Sequence, residues 1–233
     1  MAASTRRGWL GVQRRFPTFP SGRRRGFHRP SVLALGDPSD RTQGLATPQE
    51  PDFRDNNGMS STRTPGLPEL RVGHGYDLHR LEPAPPAGKG RPFVLAGVRF
   101  DHPVGPVGHS DGDAVYHATF DALMGAIGLP DIGQAFPDTA PEWEGRDSAY
   151  FMQEARARVQ RAGFAVVNLD VTVICERPKL SPRKAEMTAN IARLLGIEEA
   201  RVNLKGKTHE KVDAVGEGRA VEVHVVCLLA RAT

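Results

Sequence analysis

The chain of 233 residues has only two cysteines, Cys175 and Cys227. That excludes a disulfide-stapled framework and a cysteine-rich metal site. Both lie in apolar stretches and are expected to be core thiols in a reducing compartment. No apolar run approaches the roughly 20 residues needed to cross a bilayer, and the front of the chain lacks the apolar segment of a secretory signal. No membrane partner is expected. The usual arrangements of an activated serine or cysteine nucleophile are also missing. Before Asp37 there is no acidic residue at all. Residues 1–69 hold 11 of the 31 basic residues and 6 of the 27 acidic ones, leaving 20 and 21 for residues 70–233. The net charge of +4 therefore belongs to the front segment. The near-neutral remainder argues against a nucleic-acid surface.

Residues 1–69 are rich in Arg, Pro, Gly and Ser and show no sustained period, so they are expected to be a disordered tail. An acid-poor, arginine-rich leader of this kind fits a plastid or mitochondrial transit peptide. A tail without function, a weak RNA- or membrane-surface contact, and an extension ahead of a start at Met59 are the other readings. Plastid stroma follows from the transit reading, cytoplasm from a bacterial source. Residues 70–233 are expected to form the single folded domain.

Within that domain Arg71–Tyr76 reads as a strand, Glu82–Gly90 as a Pro/Gly-rich loop, and Arg91–Phe100 as a short strand pair turning near Gly97. Ser110 is a good N-cap, Asp113 completes a Ser-x-x-Asp capping pattern, and Val115, Ala118, Ala122 and Ala126 recur at helical spacing, so a helix is expected from Ser110 to Ile127. Asp131–Thr139 is a long connection, and such connections are usually functional. A second helix runs from Asp147 to Ala162, stopped by Gly163, and a third from Ser181-Pro182 to Gly196. Phe164–Cys175 alternates, with Val167, Leu169, Val171 and Val173 on one face. Val202–Thr208 and Arg219–Arg231 supply two more strands, the last with Glu222 and His224 on one side. The fold class is α+β: an α/β layer with a mixed sheet and helices packed on it.

Two short motifs carry the chemistry. In a strand Asp77 and His79, two apart, project to the same face. His117 follows about two turns into the first helix. If strand and helix pack side by side, one carboxylate and two imidazoles converge, a donor set that suits zinc with a fourth position left open. The helix start at His109 and Ser110, with unpaired N–H groups and a positive dipole end, is a seat for phosphate.

The motifs Arg71–His79, Gly108–His117, Leu129–Thr139, Cys175–Lys179 and Val202–Asp213 together resemble, in order and spacing, the 2-C-methyl-D-erythritol 2,4-cyclodiphosphate synthase family of the non-mevalonate isoprenoid pathway. The resemblance spans residue 70 to the C-terminus. It implies a homotrimer with a four-stranded sheet facing the three-fold axis and active sites between subunits. It further implies that the cytidine diphosphate derivative of methylerythritol 2-phosphate is converted to the cyclic diphosphate with release of CMP.

By the same resemblance Asp77, His79 and His117 match zinc ligands, and Glu210 the ligand of a second divalent ion, magnesium or manganese. His109 and Ser110 match residues that contact substrate. Asp131, Ile132, Gly133, Phe136 and Asp138 match the loop that holds the methylerythritol unit. Cys175, Pro178 and Lys179 fall in the cytidine-binding stretch. Thr208 matches a phosphate-contacting residue, and His109 and Thr208 are the positions assigned a catalytic part. The segment Val212–Gly218 is shorter than in the commonest bacterial pattern, whose aromatic lid and phosphate-binding arginine have no counterpart here. The surrounding Lys-Thr-His-Glu-Lys-Val-Asp form looks like that of plastid enzymes.

Two rival readings use the same residues. A zinc phosphohydrolase would activate water at the metal with Asp113 as general base. A structural-zinc oligomer with a nucleic-acid-binding tail would need a closed site of four protein ligands, and the motif supplies three.

Overall fold

The computed structural model describes residues 69–108 and 110–232. The expectations for residues 1–68 and for His109 lie outside them. Strand β1 (Leu70–Pro83) is followed by a two-stranded hairpin, β2 (Val94–Leu95) and β3 (Val98–Arg99), and by β4 (Val104–Pro106). Helix α1 (Ala114–Ala126), the single turn α2 (Ile132–Ala135) and helix α3 (Ala149–Arg161) come next. The chain then runs through β5 (Phe164–Ile174), α4 (Lys184–Leu195), β6 (Val202–Lys207), the single turn α5 (Asp213–Gly216) and β7 (Ala220–Arg231).

The main sheet has the order β4-β1-β7-β5-β6. Only the β5–β6 pair is parallel, so the sheet is mixed. The expected count of four strands is corrected to five. The reason is the length of β1, which does not stop at Tyr76 but stays paired with β7 through Arg80 and then with β4 from Leu81 to Pro83. Polar side chains at Asp77, His79 and Arg80 hide this continuation from a hydropathy reading. β5 differs in phase as well. A bulge between Val166 and Asn168 moves Phe164 and Val166 to the buried face and leaves Val167 half-buried, although Leu169, Val171 and Val173 point inward as expected.

The buried side of the sheet carries Val221, Val223, Val225, Cys227 and Leu229 of β7 beside Leu169, Val171 and Val173 of β5. α1 packs on β1 and β7, α3 on α1 and β5, and α4 on α3 and β6. The opposite face leaves Val72, Tyr76, Leu78 and Val226 exposed.

The seat of α1 on β1 positions everything that follows. A Cβ at Gly73 would lie 1.8 Å from the Ala122 carbonyl oxygen, and one at Gly75 the same distance from that of Ala118. Two glycines on the inner face of the strand therefore let the helix backbone rest on it. Ala118, Ala122 and Ala126 keep the facing side of the helix small. The next inward positions along β1 are Asp77 and His79, and His117 precedes Ala118 directly on α1.

α1 starts at Ala114, three residues later than a cap at Ser110 would start it, and its N-cap is Asp113 rather than Ser110. The Asp113 carboxylate accepts from Val115 N and Tyr116 N and also from Ala96 N and Gly97 N in the β2–β3 turn. One fully buried side chain thus caps the helix and ties the hairpin to it. α3 and α4 end near the expected positions, α4 on the left-handed Gly196 (φ +68°).

Candidate metal centre and substrate clefts

Asp77 Oδ2, His79 Nε2 and His117 Nδ1 form a triangle with edges of 3.1, 3.1 and 3.2 Å. The edges of a zinc tetrahedron with bonds of about 2.0–2.1 Å measure roughly 3.3 Å, so the donors need almost no movement to share one ion. They are the one such cluster of histidine, cysteine and carboxylate groups among the described residues. The convergence expected from the two motifs is therefore present.

The electrostatics agree. Burial pushes the Asp77 carboxyl up, but hydrogen bonds and charge from His117 and His79 outweigh it and hold that carboxyl below the usual range. Burial pulls His117 down, and its bond to Asp77 with the charges of Asp77, Asp113 and Asp111 carries it above its ordinary value instead. In the metal-free protein a lowered Asp77 stabilises the fold above pH 3.8, and the benefit is lost as pH falls through its folded value. A raised His117 stabilises below pH 6.5, and that benefit is lost as pH rises through its own folded value. Burial also drives Asp113 and Asp121 up to about 6, so their contribution is lost as pH rises from 3.8 through 6. The metal-free protein is expected to be most stable on the acid side of neutrality, between pH 3.8 and 6.5. Thermal midpoints recorded across pH on chelated protein check this, and a maximum above pH 7 would contradict it.

A cleft of about 280 Å³ opens beside the triad. Ser110, Ile132, Gly133, Phe136 and Asp138 line it together with His79 and His117. Trp143 and Phe151 also line it, and sequence reasoning missed both. Their signal was only aromatic character, here a cluster in which Phe136 lies 5.1 Å from Trp143 and 4.7 Å from Phe151, centroid to centroid. Asp131 is not part of the lining. It caps α2, accepting from Gln134 N at 2.9 Å. Asp121 was also missed. It accepts from Ile132 N at 2.8 Å and pins α2 to α1.

A second cleft, about 320 Å³, is lined by Cys175, Pro178, Lys179, Lys207 and Thr208. Cys175 Sγ points at the Pro178 carbonyl 3.8 Å away, and burial pushes its thiol up to about 11. Burial likewise pushes Cys227 up to about 11. Both cysteines are free, buried and protonated at neutral pH. Beyond β6 the Glu176 carboxylate accepts from His209 N and Lys211 N, holding a turn in which Glu210 and Lys211 adopt positive φ. Glu210 meets Thr208 at 3.2 Å and is not part of the metal triad.

The two clefts share no residue, yet they open at one end of the sheet. Leu78, Glu222, Ile174 and Lys207 stand side by side across β1, β7, β5 and β6. Three strand steps separate the outer two, roughly 14 Å.

Two expectations are corrected here. The start of α1 is no open anion seat at Ser110, because the buried Asp113 carboxylate already occupies its N–H groups. For the same reason Asp113 is not a general base beside the metal, since it is fully buried and binds four backbone donors. Ser110 instead places its hydroxyl 3.0 Å from His117 Nε2.

The family model of the YgbB family matches residues 70–230. The chain belongs to the YgbB family. A 2-C-methyl-D-erythritol 2,4-cyclodiphosphate synthase of Chromobacterium violaceum is 51% identical over 163 residues, covering 70% of this chain and 99% of the relative. The chloroplastic enzyme of the same name from rice, Oryza sativa subsp. japonica, is 49% identical over 172 residues, 74% of each chain. The structure of IspF from Plasmodium falciparum in a CDP complex superposes with a TM-score of 0.62 at 34% identity, covering 72% of this chain and 99% of that one. The family is one of enzymes, and its mixed sheet with helices packed on it is the fold described above.

Proposed function

We propose that this member of the family converts 4-diphosphocytidyl-2-C-methyl-D-erythritol 2-phosphate to 2-C-methyl-D-erythritol 2,4-cyclodiphosphate and CMP, with zinc held by Asp77, His79 and His117. The observation that carries the proposal is the donor triangle at the mouth of a cleft, with three protein ligands and an open side. A structural zinc site would be closed. The hydrolase reading has lost its base, because Asp113 is committed to the fold.

Bound there, zinc supplies Lewis-acid polarisation of a phosphoryl oxygen. The chain's own residues bind and orient. Ile132, Gly133, Phe136 and Asp138, with Ser110 and the adjoining His109, hold the methylerythritol end, and Asp131 supports that loop by capping α2. Cys175, Pro178 and Lys179 line the place for cytidine, an assignment supported by the CDP complex of the P. falciparum relative. Thr208 contacts phosphate, and Glu210 takes magnesium or manganese, which hard oxygen donors suit. The substrate brings its own nucleophile. An oxygen of the 2-phosphate bonds to the β-phosphorus of the diphosphate, the bond from that phosphorus to the bridging oxygen breaks, and CMP leaves with the electron pair. Positioning both ends of one flexible molecule is the protein's main contribution, worth about 7–11 kcal/mol in favourable cases.

The roughly 14 Å across the sheet between the two clefts of one chain supports an assembly in which each site joins the metal cleft of one subunit to the cytidine cleft of its neighbour. The exposed Val72, Tyr76, Leu78 and Val226 on the helix-free face support a homotrimer closed on that face. The catalytic domain is residues 70–233, preceded in sequence by residues 1–69. The latter serve as a plastid transit segment, as the chloroplastic rice relative suggests, or are dispensable in a bacterial cytoplasm. Among the described residues no helix is long and apolar enough to cross a membrane.

Incubation of the full chain with the substrate, zinc and magnesium tests the proposal. Equimolar CMP and cyclic diphosphate are expected. CMP with linear methylerythritol bisphosphate would establish the hydrolase.

A further inference from the structure

His117 has two ring nitrogens, and only Nδ1 faces Asp77 and His79. Nε2 points the other way, 2.9 Å from Ser148 Oγ and 3.0 Å from Ser110 Oγ. Ser148 is fully buried. Its hydroxyl donates to Asp111 Oδ1 at 2.5 Å, while its backbone N–H donates to Asp111 Oδ2 at 3.0 Å. Although Ser148 stands at the N-cap of α3, its side chain makes no capping bond, because it is turned toward His117 and Asp111 instead.

Proton counting makes this arrangement directional. A carboxylate only accepts, so the single hydroxyl proton of Ser148 goes to Asp111. Toward His117 the Ser148 oxygen can then only accept, and Nε2 must carry the hydrogen. A neutral imidazole with its hydrogen on Nε2 presents its lone pair on Nδ1, the atom aimed at the triad.

We propose that Ser148 and Asp111 are positioning residues that set the tautomer and orientation of His117 for metal binding through the chain Asp111–Ser148–His117. The proposal rests on the reading of Asp77, His79 and His117 as a zinc centre. The Asp111 carboxylate polarises the serine hydroxyl, which makes its oxygen a better acceptor and the ring a more basic ligand, the usual work of outer groups behind a metal-bound histidine. Ser110 is a weaker guard. Its hydroxyl accepts from Gly112 N at 3.2 Å, and no described carboxylate takes its proton. With Ser148 removed, the Ser110 hydroxyl is free to rotate and donate to Nε2, which admits the tautomer whose Nδ1 hydrogen faces Asp77 and cannot ligate.

The test is zinc affinity by chelator competition on the full chain, with the thermal midpoint of the metal-free protein as a control for folding. Ser148→Ala keeps the backbone bond to Asp111 and is expected to weaken zinc binding by roughly tenfold or more. Ser148→Cys, nearly the same size but a poorer acceptor, is expected to fall between wild type and alanine, and it serves if the alanine variant does not fold. In the zinc-loaded wild type the His117 Nε2–H should give a slowly exchanging downfield proton resonance that moves upfield in either variant. Zinc affinity in both variants within about twofold of wild type would overturn the positioning role, even if their metal-free midpoints fell. Failure of the wild type itself to bind one zinc would overturn the metal reading, and this proposal with it.

Discussion

His117→Ala is expected to abolish stoichiometric zinc binding and to cut turnover by roughly a thousandfold or more, since metal polarisation contributes several kcal/mol and each 1.4 is about a factor of ten. Three donors form the triangle, and no other residue lining that cleft is a histidine or cysteine that could replace the lost one. Two remaining donors leave Asp77 and His79 with a half-empty coordination shell. The substitution is compatible with the helix, because alanine is the best helix former and position 117 is the fourth residue of α1. Loss of activity should therefore accompany an intact fold. Zinc per subunit and the turnover number, with circular dichroism as the control, read this out. A full zinc equivalent in the variant would remove His117 from the centre.

Asp113→Ala is expected to produce the largest loss of stability, on the order of 2–5 kcal/mol. Loss of an N-cap costs about 0.5–2 kcal/mol, and each buried N–H left without an acceptor adds about 1–3. Four donors lose their partner at once: Val115 and Tyr116 in the first turn of α1, and Ala96 and Gly97 in the hairpin turn. Ala96 is fully buried, so water cannot take over. Asp113→Asn should fall between wild type and alanine, since its amide oxygen can still accept from Ala96 N, Val115 N and Tyr116 N while its NH2 faces the Gly97 N–H that Oδ2 now takes. Denaturant unfolding of metal-free protein measures both. A value within about 1 kcal/mol of wild type for the alanine variant would show that the cap is not what joins hairpin and helix.

The donor cluster of Asp77, His79 and His117 was partly legible in the sequence. Strand alternation alone puts Asp77 and His79 together, whereas His117, one residue before Ala118, reaches them only because Gly73 and Gly75 seat α1 directly on β1. The start of α1 was not legible. Ser110 and Asp113 are equally good caps by residue type, and the choice falls to Asp113 because the Ala96–Gly97 turn, far off in sequence, brings two further donors to it. The same distance problem hid the chain from Asp111 to Ser148, 37 residues apart, whose residue types carry no mark of it. β4 and the bulge in β5 depend on register against neighbouring strands, which hydropathy does not encode. The motif residues were found in groups, yet their division into two clefts follows only from the strand order β1-β7-β5-β6.

In the proposed cyclisation the substrate's own phosphate, rather than water, attacks phosphorus. The reaction run in oxygen-18 water separates the two. CMP and cyclic diphosphate should form with no solvent label at phosphorus. One solvent oxygen incorporated into a linear bisphosphate product would contradict the cyclase and establish hydrolysis at the same metal centre.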